Sequence, residues 1–252
     1  MSGHSKWATI KHKKGAADAK RGKIFTKIIR EITVAAKEKG GNIDTNPALR
    51  TAIDRAKEAN MPKDNIDKAI KKGTGELPGV VYESCMFEGY GPAGVAIMAE
   101  VLTDNKNRTT AEIRNIFSKK AGNMAGSGSV GWIFTPKGYI LLDKSQGSED
   151  DIFSISVDAG AEDVKTTATN YEIFCDPKDL DKVKQALISK NIKCESAEIT
   201  QIPSNSVKLG AQEGKQVLSL IEALEDQDDV QKVHANFDIP DDIMEKIAQE
   251  IE

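Results

Sequence analysis

The sequence predicts an α+β protein of three domains: an N-terminal helical domain plus two α+β domains, one of them a ferredoxin-like βαββαβ unit inserted into the other. Three observations lead there. Apolar residues recur at helical spacing from Ile24 to about Gly75, and the period changes to two from Tyr82. Residues 138–202 then read strand, helix, strand, strand, helix, strand, the order of the split βαβ unit. Finally, 252 residues are enough to build more than one core. The predicted boundaries are 1–78 for the helical domain, 79–135 with 206–252 for the discontinuous α+β domain, and 136–205 for the inserted unit.

In the first domain, Ile24, Phe25, Ile28, Ile29, Ile32 and Ala36 form one helical stripe that stops at Gly40-Gly41, a strong terminator. A second helix opens at Asn46-Pro47, with Asn as cap and Pro in the first turn, and carries Leu49, Ile53 and Ala56. Pro62 opens a third, through Ile66, Ala69 and Ile70 to Gly73. The next domain begins with a hairpin, residues 82–88 and 95–103 around Gly89-Tyr90-Gly91-Pro92. A helix over 109–121 with Ile113, Ile116 and Phe117, a Gly-Ser loop and a strand over 130–134 follow. This strand-strand-helix-strand lacks a second helix and a final strand. The tail offers both: a helix with Val217, Leu220, Ile221 and Leu224, and a strand around 230–237. The tail lacks a core of its own, so it is expected to complete the middle domain across the inserted unit.

Composition narrows the function. The chain is 39% hydrophobic and 29% charged, as in soluble globular proteins. Cys85, Cys175 and Cys194 form no C-x-x-C pair and are odd in number, which fits free thiols in a reducing compartment. MSGHSKW lacks the apolar core of a signal peptide, and the stretch near Gly94 to Leu102 is too short to span a bilayer. The expected location is the cytoplasm, with no membrane partner. The net charge of −4 conceals a strong asymmetry: residues 1–75 hold 18 Lys and Arg against 8 Asp and Glu, and the remainder holds 17 against 31. A basic head sits on an acidic body.

Catalytic motifs are scarce. Gly126-Ser127-Gly128-Ser129-Val130-Gly131 fits G-x-G-x-x-G, but its glycines follow a helix and enter a strand, whereas a dinucleotide loop leaves a strand and opens a helix. A flexible turn is the better reading. His4 and His12 sit among lysines that would repel a metal cation, and His234 reads as an exposed or hydrogen-bonded strand residue. Asp150-Asp151 and Asp228-Asp229 fall at helix starts or turns, where carboxylates complement helix dipoles. No catalytic residues, metal ligands or cofactor are assigned, and a non-enzyme is expected.

The positive signal is at the N-terminus, where residues 1–30 carry nine basic residues against Asp18 alone. The candidate nucleic-acid-binding residues are Lys6, Trp7, Lys11, His12, Lys13, Lys14, Lys20, Arg21, Lys23, Lys27 and Arg30. On a helical wheel Lys20, Lys23, Lys27 and Arg30 fall within about 80°, apart from the apolar arc. One face packs and the other is a cationic rail. A solvated face normally mixes signs, whereas this one is nearly all positive and follows an arm whose Trp7, His4 and His12 can stack on bases. Contact with nucleic acid, DNA or RNA, is the expectation.

Several stretches carry a family resemblance: GHSKWATIKHKKGAADAKRGKIFTK (Gly3–Lys27), AIDRAKEANMPKDNIDKAIKKGTG (Ala52–Gly75), FEGYGPAG (Phe87–Gly94), TDNKNRTTAEIRNIFSKKAG (Thr103–Gly122) and GSVGWIF (Gly128–Phe134). Together they resemble the YebC/PmpR family, to which a mitochondrial translational activator of cytochrome oxidase belongs. The resemblance implies a three-domain α+β fold, no catalytic consensus, and a role in gene expression. Members are described as DNA-binding transcriptional regulators, and others are associated with ribosomes, assisting translation through proline runs.

Overall fold

The computed structural model describes residues 18–167 and 169–250, and the side chains of the first helix from Gly22 onward. Two compact units result: one spans Trp132–Ser206, and the other combines the chain up to Gly131 with Val207 onward.

The larger unit begins with three helices, α1 (Asp18–Lys39), α2 (Pro47–Glu58) and α3 (Lys63–Thr74). Each stops or starts for a local reason. α1 ends before Gly40, and α2 is capped as its sequence suggests, the Asn46 Oδ1 accepting the Leu49 N–H at 3.1 Å. The Asn46 amide group also donates to the carbonyls of Ala35 and Gly40, both at 2.8 Å, so one buried side chain ties the end of α1 to the start of α2. The stripe Ile28, Ile32, Ala36, Leu49, Ile53, Ala56, Ile66 and Ala69 is the core of this head. At Gly73 a Cβ would lie 2.4 Å from the Thr33 carbonyl and 2.7 Å from the Ala36 Cβ, so glycine sets the close approach of α3 to α1.

The rest of the unit is a four-stranded antiparallel sheet in the order β3-β1-β2-β9, made of β1 (Glu83–Tyr90), β2 (Ala96–Thr103), β3 (Asn123–Ala125) and β9 (Val230–Ala235). The helices α4 (Lys106–Lys119) and α7 (Ala211–Glu225) pack against it, and α8 (Asp241–Glu250) packs on α7. One cluster gathers Ile97, Ala99, Ile113 and Phe117 from before the insertion with Val217, Leu220, Ile221, Leu224 and Val233 from after it. The two segments therefore share one core. β9 pairs with β2 from Ile97↔Ala235 to Val101↔Val230, and Asn236 Oδ1 accepts the Ala96 N–H at 2.8 Å. A two-residue parallel pairing of β8 (Val207–Lys208) with β10 (Phe237–Asp238) fastens the point where the chain re-enters.

The inserted unit contains β4 (Phe134–Asp143), α5 (Glu149–Asp158), β5 (Ala161–Thr166), β6 (Asn170–Cys175), α6 (Leu180–Ser189) and β7 (Cys194–Pro203). Its sheet order is β5-β6-β4-β7 and every pairing is antiparallel, the ferredoxin-like topology. Ile140, Leu142, Ile152, Ile173, Val183 and Leu187 form its core.

One expected element differs. The third strand of the middle sheet is Asn123–Ala125 rather than residues 130–134, where Gly131–Ile133 form a single 3-10 turn and Phe134 begins β4. Val130 and Ile133 have strand composition, but the Val130 and Gly131 N–H groups go to a side-chain carboxylate instead of a ladder.

Candidate nucleic-acid interface

Of the candidate residues, Lys6, Trp7, Lys11, His12, Lys13 and Lys14 lie outside the described residues, and so do the side chains of Lys20 and Arg21 on α1. The described part of the rail is Lys23, Lys27 and Arg30, and all three meet the same segment of the middle domain, the end of α7 and the turn that follows it. Lys23 Nζ donates to the Asp226 carbonyl at 3.2 Å and lies 3.5 Å from Oδ1 of the same residue. Lys27 Nζ donates to the Glu225 carbonyl at 2.6 Å. Arg30 donates to the Asp228 carbonyl, and its Nη1 lies 2.8 Å from Asp229 Oδ1. Steps of about one helical turn along α1 thus match an acidic turn, Glu225 to Asp229.

Asp229 is the centre of the contact. Its side chain is 2% exposed. Oδ2 accepts from Thr109 Oγ1 at 2.5 Å, Arg108 Nη2 at 2.9 Å and Thr103 Oγ1 at 3.2 Å, while Oδ1 faces Arg30. Burial alone would raise its pKa, but hydrogen bonds from Thr109 and Arg108 and the charges of Arg30 and Arg108 outweigh that and hold it below the ordinary value. Arg108 shifts upward in turn, chiefly through its hydrogen bonds to Asp229 and Asp104. The Arg30 guanidinium also lies 5.5 Å from the centre of the Tyr82 ring. Asp229 does lie in a turn, as expected, but beyond complementing a helix dipole it is a buried ionic junction between the head and the middle domain. No local motif marks this, because Arg30 and Asp229 lie far apart in sequence.

The glycine loop has a second carboxylate at its centre, which the sequence did not single out. Glu88, on β1 and 6% exposed, accepts the backbone N–H of Gly128 on Oε1 at 2.8 Å and those of Val130 and Gly131 on Oε2 at 2.6 and 2.8 Å. Gly128 has φ +84, the left-handed conformation that lets this turn point its N–H groups inward. Burial raises the Glu88 pKa, but the convergent backbone N–H groups prevail and lower it. The concave N–H cluster that would hold a phosphate is thus filled by the chain's own carboxylate. Tyr90 Oη adds a bond to the Ser129 carbonyl at 3.0 Å, and Trp132, just beyond the loop, is 72% exposed.

Other candidate chemistry finds structural partners. His234 Nε2 lies 2.9 Å from Glu100 Oε1, in line with a hydrogen-bonded strand histidine. The three cysteines are free, and burial pushes all three thiols up, Cys175 to about 11 with help from Asp179 and Glu162. Thiolate nucleophiles at neutral pH do not follow from that environment. A shallow cleft of about 270 Å³ beside Thr33, Lys37, Lys72, Val80 and Tyr82 holds no acid–base pair. Among the described residues no group of three His, Cys, Asp or Glu could hold a metal ion, and no helix is long and apolar enough to cross a membrane.

The fold and this interface define a class: an α+β protein of three domains whose positive charge is concentrated on a helical head, apart from any recognisable catalytic cluster among the described residues. Comparison with known proteins gives that class a family. The chain belongs to the TACO1/YebC family, since residues 5–76 match the model of the TACO1/YebC protein N-terminal domain and residues 82–237 that of the TACO1/YebC second and third domain. It is 56% identical over 243 residues to a probable transcriptional regulatory protein of Desulforapulum autotrophicum, covering 96% of this chain and 98% of the relative. A probable transcriptional regulatory protein of Dictyoglomus turgidum is 55% identical over 249 residues, covering 98% of this chain and all of the relative. Among solved structures, the conserved hypothetical protein Aq1575 from Aquifex aeolicus matches with a TM-score of 0.80 at 46% identity, over 89% of this chain and 93% of that one.

Proposed function

We propose that this protein is a cytoplasmic, non-enzymatic, DNA-binding regulator of transcription that engages nucleic acid through its basic N-terminal arm and head. The observation that carries the proposal is the charge asymmetry: nine basic residues against one acid in residues 1–30, on a chain that is acidic elsewhere. Relatives at about 55% identity bear the name probable transcriptional regulatory protein, which supports regulation as the role. The test is footprinting on promoter DNA at roughly 150 mM salt, where non-specific phosphate contacts are weakened. Protection of defined sequences is expected; uniform protection that salt removes would overturn the reading. Replacing Lys11, Lys13, Lys14 and Arg21 with Glu should abolish binding, and replacing any one of them with Ala should weaken it and reduce its salt slope by roughly one unit per lost phosphate contact.

A second reading, binding to RNA of the translation machinery, draws on the geometry of the head. α2 and α3 are joined by a short turn in which Asn60 takes φ 56, but each packs mainly on α1, unlike a helix-turn-helix pair. α3 exposes Asp64 and Asp67 alongside Lys63, Lys68, Lys71 and Lys72, a mixed-sign surface rather than the polar base-reading face of a recognition helix. Crosslinking in cells separates the two: recovery of ribosomal RNA or tRNA rather than promoter DNA would favour the second. Ribosome profiling with unchanged pausing, proline runs included, would remove it.

A further inference from the structure

We infer that the acidic turn Glu225–Asp229 is an internal phosphate mimic: it occupies the α1 rail in the closed molecule and is displaced when a nucleic-acid backbone takes its place. The inference rests on the nucleic-acid-binding reading above and adds a regulatory step to it. Three features of the contact carry it.

The first is its chemistry. The acceptors that meet Lys23, Lys27 and Arg30 are the carbonyl oxygens of Asp226, Glu225 and Asp228, joined by the carboxylates of Asp226 and Asp229. They cluster where α7 ends, and the C-terminal end of a helix carries about half a negative charge. Oxygen acceptors in a row with excess negative charge are what a phosphodiester backbone presents to the same three cations.

The second is the lack of an apolar seal among the described residues. The head and the middle domain have separate hydrophobic clusters, and hydrogen bonds and ion pairs hold α1 to the turn. Contacts of that composition separate more readily than a shared core does. Exposure is graded along the contact: the Lys23–Asp226 side chains are 48% and 71% exposed, whereas those of Arg30 and Asp229 are 13% and 2%. An incoming backbone can therefore take the Lys23 end first.

The third is that opening leaves no buried charge stranded. When Arg30 leaves, Asp229 keeps Arg108, Thr109 and Thr103, and Arg30 itself gains phosphate. Asp229 is thus compensated in both states, a condition for a two-state element.

The experiment uses the full chain and a fluorescein-labelled oligonucleotide, single-stranded or duplex, followed by anisotropy and by amide hydrogen exchange. Saturating oligonucleotide should speed exchange at the amides of residues 226–230. The variant Asp226→Asn/Asp228→Asn should bind about threefold to tenfold more tightly than the equal-charge control Asp150→Asn/Asp151→Asn in the inserted unit. Oligonucleotide binding with unchanged or slower exchange at the turn, and no gain over the control, would overturn the mimic while leaving the binding reading intact. Should the wild-type chain bind nothing, binding by the Asp226→Asn/Asp228→Asn variant alone would support masking. Silence from both would overturn the mimic together with the reading beneath it.

Discussion

The Gly126–Gly131 loop, whose N–H groups converge in the fold, and the α1 rail, cationic in sequence, both offer donors to an anion, and each is filled by a carboxylate or carbonyl of the same chain. They differ in how firmly. In the loop, Glu88 is buried and receives three backbone N–H groups whose positions are fixed by the chain path. On the rail, flexible side chains reach a turn whose Lys23 end lies in water. The contrast teaches that internal satisfaction has two meanings. A buried set of backbone donors around one carboxylate is architecture, because removing the carboxylate strands the donors. A half-open set of lysines is an arrangement that another anion can inherit.

The largest expected effect tests the architectural side. Glu88→Ala leaves three N–H groups without their acceptor and should cost about 3–5 kcal/mol in urea unfolding. A loss below about 1 kcal/mol would show that water replaces the carboxylate and that the loop is less committed than its geometry indicates. Asp229→Ala comes next, at about 3 kcal/mol, because it strips a buried partner from Arg30 and leaves the Thr103 and Thr109 hydroxyls facing a void. The pair also predicts an acid limb. Both carboxyls titrate in the folded state below their ordinary values of 4.5 for Glu88 and 3.8 for Asp229. Their contribution is therefore full above those values and disappears as the pH falls through the folded-state ones. Stability measured from pH 6 downward should be flat to about pH 5 and then fall, and Glu88→Gln should shallow that fall.

Smaller effects sharpen the contrast. Gly73→Ala forces a methyl against the Thr33 carbonyl and should destabilise the head by about 1–3 kcal/mol without altering the loop, as thermal melts of the variant would report. Lys23→Ala should change stability by less than about 0.5 kcal/mol, since its ion pair is largely exposed. A cost near that of Asp229→Ala would mean that the rail is as architectural as the loop.

Much of the fold was legible because its cues are local. The 3.6-residue stripe from Ile24 to Ala36, the Asn46 cap and the Gly40 stop each act within a few residues, and the helices form where those cues lie. The βαββαβ order and the completion of the middle sheet by the tail followed from counting elements that lacked partners. What was not legible depends on distance along the chain. Glu88 reads as one more polar strand residue until the loop some 40 residues later closes over it. Asp229 reads as a turn acid until α1, Thr109 and Arg108 converge on it. The misplaced strand over residues 130–134 has the same origin: composition favours extension there, but the N–H groups of Val130 and Gly131 had already been claimed. For the rail, the wheel groups Lys23, Lys27 and Arg30 on one face of α1 but could not show what lies opposite it.

The interruption of the middle domain also has a consequence for how the molecule comes into being. β2 finds its neighbour β9 only after the whole inserted unit has been made, since the Ala96 N–H and its acceptor Asn236 stand 140 positions apart. During synthesis the head can close on its own local core and the inserted unit on its own, while the hairpin of β1 and β2 waits for α7 and β9. The turn that covers Lys23, Lys27 and Arg30 emerges in the same late segment. A newly made chain therefore passes through an interval in which its most positive helix is uncovered, and the arrival of residues 225–229 is the event that ends it.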